Sequence, residues 1–334
     1  MFLKMHSFLQ NIFLFKNQME RIKKEAIVGI AFGISDIKVY PFLSSLEATG
    51  YKGDVILFVN NSTRLSWYVP FEQLSIKVIN IDQRLSPDLY FYRAINWVMR
   101  VVGLNKPWAE WNKSKITKVL KAKKKLLPRQ LAFIHAFFFL TISRFFMYYN
   151  WLLETDYDTF FFTDVNDVIF QGDVFTSSVK DKVVVYEEYD GCSLGSDGNN
   201  SGWVEKGYGE QILKEMSGST IICAGTILAD RAICTTFLQD FMLEIMAPNK
   251  PLTTSGLDQG VLNYMVSHQK KDYFDSSKNG ESVFTAALQP DGDIFFKSDA
   301  IATIHWPKIP AVVHQYNRHN KLIDFINDKY FVRA

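Results

Sequence analysis

One acidic turn at the end of an apolar strand governs the interpretation of this sequence. Residues 159–175 read TFFFTDVNDVIFQGDVF. The first five residues are aromatic or β-branched, which is typical of a buried strand, and Asp164, Asn166 and Asp167 follow at its end. Two carboxylates so close together repel each other unless something neutralises them. A divalent cation with oxygen ligands, Mg²⁺ or Mn²⁺, would do so. The alternative is a tight turn that leaves its acidic groups in water.

On both sides of this turn, short apolar runs alternate with helical patterns. Strands are predicted at 26–31, 54–60, 76–81, 159–163, 183–186 and 220–224. Helices are predicted at 35–49, 86–102, 131–154, about 205–216 and 230–246, and an irregular basic segment at 104–130. Strands that alternate with helices are typical of an α/β fold with a mostly parallel central sheet flanked by helices.

The domain organisation follows from the same pattern. The sequence shows no repeat and no low-complexity linker, so we expect one domain over 25–334 with a basic insertion at about 104–130. Residues 1–24 are predicted to form an amphipathic helix that precedes it. In an α/β sheet of this kind the ligand site lies at the carboxyl ends of the strands, where residues 164–167 are found.

Composition narrows the class of protein. Of the 334 residues, 48% are hydrophobic and 22% are charged, which excludes a disordered chain. The net charge of +2 does not indicate a nucleic-acid partner. The three cysteines form no CxxC pair, so a disulfide scaffold and a zinc–cysteine site are not expected. We expect the protein to reside in a reducing compartment.

Two segments bear on membrane contact and location. Residues 2–24 carry an apolar stripe beside basic residues, and 113–129 hold eight Lys or Arg and no acid. Either could contact an anionic membrane surface. Alternatively, 2–24 packs on the domain or on a second copy in a homodimer, and 113–129 is a solvated helix face. No secretory signal is evident. We expect a cytoplasmic protein, at the inner face of a membrane if these segments bind it. The apolar stretch at 131–153 contains Arg144 and is therefore predicted to be a buried helix.

Several motifs resemble one family of enzymes. The segment TDVNDVIFQGDVF resembles the DxD region of metal-dependent, nucleotide-sugar glycosyltransferases of the GT-A fold, in a subgroup whose motif runs roughly T-D-V-x-D-V-x-F-Q. Further similarities follow in the family's order over about residues 26–320: AIVGIAFG, PFLSSLEATGYKGDVILFV, RFFMYYNWLL, CAGTILA, GLDQGVLNY and VVHQYNRH. The resemblance implies a single GT-A-type, Rossmann-like domain. The segments 1–24 and 104–130 depart from the family's pattern.

The resemblance also implies roles for individual residues. It assigns the metal, Mn²⁺ or Mg²⁺, to Asp164, Asp167 and His314. It assigns the nucleotide sugar to Ala31, Phe32, Gly33, Arg144, Asp164 and Arg318. Asp258 is the first candidate for the catalytic residue at the reacting sugar, with Glu187 and Glu188 as rival general bases. Outside the family, a lone histidine such as His314 is more often structural, and an aspartate at a helix start such as Asp258 is more often a cap.

The function implied is a metal-dependent glycosyltransferase, a hexosyl- or pentosyltransferase. It would move a sugar from a nucleotide-diphosphate donor, with a UDP-sugar as first choice, to a glycan or glycolipid acceptor in surface polysaccharide synthesis. One alternative is a nucleotidyltransferase that makes the activated sugar, although the glycine-rich basic loop expected after its first strand is replaced here by FGISDIK at 32–38. The other is an inactive scaffold that binds glycan or metal.

Overall fold

The computed structural model describes residues 23–63, 71–176, 179–248, 250–251 and 253–331. The amphipathic helix predicted at 1–24 therefore lies almost wholly outside the described residues.

Twelve strands form one large sheet and two small ones within the described part of the chain. They are β1 (Glu25–Ile30), β2 (Asp54–Val59), β3 (Ser75–Asn80), β4 (Thr159–Asp164), β5 (Val168–Phe170), β6 (Val183–Glu187), β7 (Ile222–Asp230), β8 (Phe274–Ser277), β9 (Val283–Thr285), β10 (Ile294–Lys297), β11 (Ala300–Thr303) and β12 (Val312–His314). The large sheet has the order β3-β2-β1-β4-β7-β6-β8, and β5-β12-β9 and β10-β11 form the small sheets.

The large sheet is mostly parallel, as predicted. Strands β3, β2, β1 and β4 run parallel to one another, as do β6 and β8, whereas β7 is antiparallel to both its neighbours. The central strands are apolar along nearly their whole length because both faces of the sheet are covered.

The helices of the described residues are α1 (Asp36–Ala48), α2 (Ile81–Leu85), α3 (Asp88–Val101), α4 (Asn105–Lys121), α5 (Pro128–Phe137), α6 (Leu140–Leu152), α7 (Gly198–Tyr208), α8 (Glu210–Met216), α9 (Arg231–Ile245), α10 (Leu257–Asn263) and α11 (Asn320–Tyr330). They flank the sheet, which confirms the predicted fold class. None of the described helices is long and apolar enough to span a bilayer.

Three predictions about helical segments were wrong in detail. Residues 105–121 form α4 instead of an irregular segment, because Ala109, Ile116 and Leu120 recur at helical spacing and are buried between the lysines. The helix predicted at 131–154 is two helices, α5 and α6, since the first packs against α3 and the second against the sheet. The helix predicted at about 205–216 begins earlier, at 198, and is divided at Gly209, whose φ of +87° ends α7.

Candidate active site

Three potential metal ligands converge beside the carboxyl ends of β1 and β4. Asp164 is the last residue of β4, and Asp167 lies in the turn that follows. His314 ends β12, which pairs with β5 directly after that turn, so that His314 lies opposite Val168. One potential ligand atom from each of Asp164, Asp167 and His314 lies within 4.8 Å of the other two. The Nε2 atom of His314 is 3.5 Å from Asp164 Oδ2 and 3.9 Å from Asp167 Oδ1.

Two further observations show that this group suits a divalent cation. His314 is fully buried, yet its Nε2 has no hydrogen-bond partner among the described residues, which is costly for a polar atom unless a ligand satisfies it. Gly225 faces the same point. A Cβ atom built there would lie 2.4 Å from His314 Cε1 and 2.7 Å from Asp164 Oδ2. The space beside the three ligands therefore exists because residue 225 has no side chain.

A buried arginine joins this group to a second carboxylate. Arg144 of α6 forms ion pairs with Asp164 and, at 3.1 Å, with Asp258 of α10. It also donates to the carbonyl of Ala224 at 2.9 Å. Burial alone would raise the pKa of Asp164, but Arg144 and His314 outweigh burial and lower that pKa to about 2. Burial raises the pKa of Asp167. The Arg144 guanidinium thus holds the carboxylates of Asp164 and Asp258 in fixed positions.

Asp258 lies where the sequence places it, in the first turn of α10, and is buried. Its Oδ2 accepts from Arg144, and its Oδ1 accepts from the hydroxyl of Thr141 at 3.0 Å. Negative charge in this position is favoured by the N-terminal end of the helix. Both oxygens of Asp258 therefore already have a protein partner.

A register shift between β6 and β7 shapes the backbone around the three potential metal ligands. The pairing of β6 with β7 shifts at Val185 and Tyr186, so residues 224–226 have no partner on β6. Bulges of this kind are common next to active sites because they redirect the backbone. Here the bulge frees the carbonyl of Ala224 for Arg144 and brings Gly225 against His314. The thiol of Cys223, just before it, lies 3.4 Å from His314 Nδ1.

A polar cavity of about 280 Å³ lies close to the group, because Gln259 and Gln315, which line it, directly follow Asp258 and His314 in the chain. Among its lining residues are Glu188, Asn200, Trp203, Gln259 and Arg318. Gln259 donates to Glu188 at 2.9 Å and to Asn200 Oδ1 at 2.7 Å, and burial raises the pKa of Glu188. These amides, the carboxylate and the indole ring offer hydrogen-bonding groups and one flat apolar surface to a ligand.

The other predicted residues have partners of their own. Glu187 pairs with Lys278 at 2.8 Å instead of lining the cavity. Ala31, Phe32 and Gly33 follow β1 next to Asp164, where Gly33 has a φ of +60° and its N–H donates to Asn60 Oδ1 at 3.0 Å. The Phe32 ring packs edge-on against His135. The contacts predicted between these residues and a nucleotide stay predictions.

Sequence reasoning missed four contributors: Thr141, Cys223, Gly225 and Gln259. Gly225 carried a signal, because a glycine inside a strand often marks close approach of another group. Cys223 and Gln259 lie within the quoted motifs CAGTILA and GLDQGVLNY but had no chemical pattern of their own. Thr141 had none, since it is identified only by its contact with Asp258.

Comparisons with known proteins add little to this geometry. No protein-family model and no curated protein matches the chain. One similar solved structure is core-mannan synthase A from Aspergillus fumigatus in its Mn/GDP form. It has 10% sequence identity and a TM-score of 0.44, over 77% of this chain and 73% of that one. A similarity of this extent carries no argument about what this chain binds or does.

Proposed function

We propose that this protein is a metal-dependent glycosyltransferase. It would transfer a sugar from a nucleotide-diphosphate donor to a glycan or glycolipid acceptor. The observation that carries the proposal is the group Asp164–Asp167–His314 at the carboxyl end of the sheet, beside a polar cavity. Two carboxylates and one imidazole are donors that suit Mn²⁺. The resemblance of the surrounding motifs to the GT-A family supports the same reading.

The metal would be held by Asp164, Asp167 and the Nε2 atom of His314. When bound, a divalent cation would supply Lewis-acid charge to the diphosphate leaving group. Arg144 fixes one carboxylate on each side of the site, Asp164 and Asp258, and so acts as a positioning residue. Arg318 is exposed at the cavity and would contact the phosphates, because its fork of donors matches phosphate oxygens.

Glu188 is our first choice for the base that takes the proton from the acceptor hydroxyl. It lines the cavity, and burial raises its pKa, which brings a carboxylate nearer to the range where it accepts a proton efficiently. Asp258 is the second choice, since Arg144 and Thr141 already occupy its two oxygens. If Glu188 is the base, Asp258 orients the sugar instead.

The test is a donor screen. UDP-, GDP-, dTDP- and CMP-sugars are incubated with the protein in Mn²⁺, Mg²⁺ or EDTA, and release of the nucleotide is measured. We expect slow hydrolysis of one donor with Mn²⁺, none with EDTA, and none in Asp167→Ala. The matched control is Asp173→Ala, because Asp173 lies in the same segment but is exposed, and within the described ranges its side chain accepts a single local hydrogen bond, from Phe175 N.

The screen separates the alternatives. Binding of Mn²⁺ without turnover of any donor would favour an inactive scaffold, and failure to bind either metal or donor would contradict the proposal. Once a donor is known, Glu188→Gln and Asp258→Asn distinguish the two bases. The variant that removes the base should lose about 10²–10⁴-fold in kcat.

A further inference from the structure

Helix α3 has an apolar face that no described residue covers. Its large exposed side chains are Tyr90, Phe91, Trp97, Val98 and Val101, of which Trp97 is 69% exposed and Val101 68%. The positions 90, 94, 97 and 101 are spaced by four, three and four residues, so they form one stripe along the helix. An exposed apolar stripe of this kind indicates an interaction surface.

The stripe is not simply a loosely packed core face. The opposite side of α3 already packs against α5: Leu89 is buried, the rings of Tyr92 and Phe133 lie 5.9 Å apart, and Asn96 donates to the carbonyl of Ala136 at 3.0 Å. Helix α3 therefore has one face used by the fold and a second apolar face turned outward.

The neighbouring helix, α4, contacts α3 and carries exposed positive charge. The outer face of α4 carries Trp111, Lys115, Lys118 and Lys121, all exposed. The ammonium group of Lys115 lies over the Trp111 ring, 3.2 Å from its centroid. From residue 89 to 129 the sequence contains eleven Lys or Arg and one acid, Glu110, which is paired with Lys113. We call the outer faces of α3 and α4 the α3–α4 surface.

We propose that the α3–α4 surface binds the headgroup region of an anionic lipid bilayer. Exposed Trp, Tyr and Phe side chains partition into the interface between headgroups and acyl chains, and lysines beside them bind the anionic headgroups. The proposal is independent of the proposed enzymatic activity.

Charge complementarity selects this occupant over the other two candidates. A second copy would bring an equally basic surface to the same face, and like charges repel. The segment at 1–24 is also basic, with five Lys or Arg and one Glu, so it does not complement the α3–α4 surface either. An anionic membrane satisfies the apolar stripe and the lysines together.

The experiment measures sedimentation of the full-length protein with vesicles of phosphatidylcholine alone and with about 30% phosphatidylglycerol. Wild type should bind the anionic vesicles and not the neutral ones, and should be released by about 0.5 M salt. Lys115→Glu/Lys118→Glu/Lys121→Glu should weaken binding by about a hundredfold. Trp97→Ser/Val101→Ser should weaken it by about tenfold.

Matched controls carry the same chemical changes elsewhere. Lys180→Glu/Lys297→Glu/Lys308→Glu alters three other exposed lysines, and Ile304→Ser alters another exposed apolar side chain. Both should bind like wild type, and circular dichroism checks that every variant is folded. The proposal is overturned if wild type ignores anionic vesicles or if the α3 and α4 variants bind as well as the controls do. It is equally overturned if analytical ultracentrifugation shows a dimer that Trp97→Ser/Val101→Ser dissociates.

Discussion

The candidate active site and the α3–α4 surface depart from ordinary protein patterning in opposite directions. At the site, ionisable groups are buried: Arg144, Asp258 and His314 are each less than a tenth exposed. At the α3–α4 surface, apolar groups are exposed, and Trp97 leaves more than two thirds of its surface in contact with solvent. Buried charge and exposed apolar surface are the two informative exceptions to the rule that apolar residues lie inside.

The difference lies in what completes each region. At the site, the three carboxylates of Asp164, Asp167 and Asp258 outnumber the single guanidinium of Arg144. His314 Nε2 is among the buried atoms that have no hydrogen-bond partner in the described residues. The α3–α4 surface is not compensated within the described residues: its lysines far outnumber its acids. The first region thus suits a small ligand of positive charge, and the second suits an extended partner of negative charge, as we propose.

The largest expected effect comes from removing the central cation of the site. Arg144→Met should lower the free energy of unfolding by about 3–5 kcal/mol, because the buried carboxylate of Asp258 and the half-buried carboxylate of Asp164 lose their partner. Urea denaturation without divalent metal measures the loss. Arg93→Ala is the control from the α3–α4 surface, since Arg93 is half-exposed and 3.7 Å from Asp82. It should cost less than about 1 kcal/mol. Equal losses for both variants would remove the distinction drawn between the two regions.

The next effect concerns metal binding. Gly225→Ala would place a Cβ 2.4 Å from His314 Cε1 and 2.6 Å from its Nε2. The ligands must then move apart, and the affinity for Mn²⁺ should fall by about a hundredfold, close to 3 kcal/mol. Isothermal titration with Mn²⁺ measures it.

The control for Gly225 is Gly202→Ala in α7, where an added Cβ has no neighbour within 4 Å. Alanine at this helical position should leave metal affinity unchanged and raise stability by roughly 0.5–1 kcal/mol. If Gly225→Ala still binds Mn²⁺ as wild type does, the metal does not occupy the space beside His314 and Asp164.

The sequence predicted the first strands of the sheet more closely than its last ones. The strand expected at 220–224 is β7, which runs on to Asp230 because it pairs with β4 and β6 along that length, and β8 was not predicted. Apolar runs such as residues 26–31 and 54–60 are buried on both faces, so their boundaries agree with β1 and β2 to within a residue or so. Residues 105–121 were not predicted to be a helix because their many lysines obscure the apolar periodicity. The methylene stems of lysine can cover apolar neighbours although the residue counts as charged. The break at 138–139 depends on tertiary packing of α5 and α6, which no local pattern encodes.

Within the site, the sequence identified side chains with distinctive chemistry and missed those defined by contact alone. Asp164, Asp167 and His314 come together although His314 lies about 150 residues further along the chain, and their role as metal ligands stays a prediction. The sequence did not predict that Arg144 forms ion pairs with both Asp164 and Asp258, since it was expected to contact a phosphate. A guanidinium can serve either purpose, and only the distances distinguish them.

A smaller effect is expected from the thiol behind the imidazole. Cys223 is the partner of His314 Nδ1, and such partners orient a metal-binding imidazole. Cys223→Ala should weaken Mn²⁺ binding by about tenfold, whereas Cys223→Ser, which restores a hydrogen-bonding group, should recover part of it. Cys234→Ala is the matched control, because Cys234 is equally buried but lies in α9 within the apolar core. Loss of metal affinity in Cys234→Ala would mean that packing, and not the contact with His314, is responsible.

The smallest effect sharpens the comparison from the other side. An exposed side chain contributes little to folding, so Trp97→Ser should change the free energy of unfolding by less than about 0.5 kcal/mol. Phe133→Ala, in the buried face that supports α3, should cost about 3–5 kcal/mol in the same urea titration. A loss above about 1 kcal/mol for Trp97→Ser would mean that its ring is covered in solution. Dependence of that loss on protein concentration would identify a second copy as the cover, and independence would identify another segment of the same chain. A negligible loss, together with weakened vesicle binding, separates the two contributions of α3: its inner face stabilises the fold, and its outer face binds the membrane.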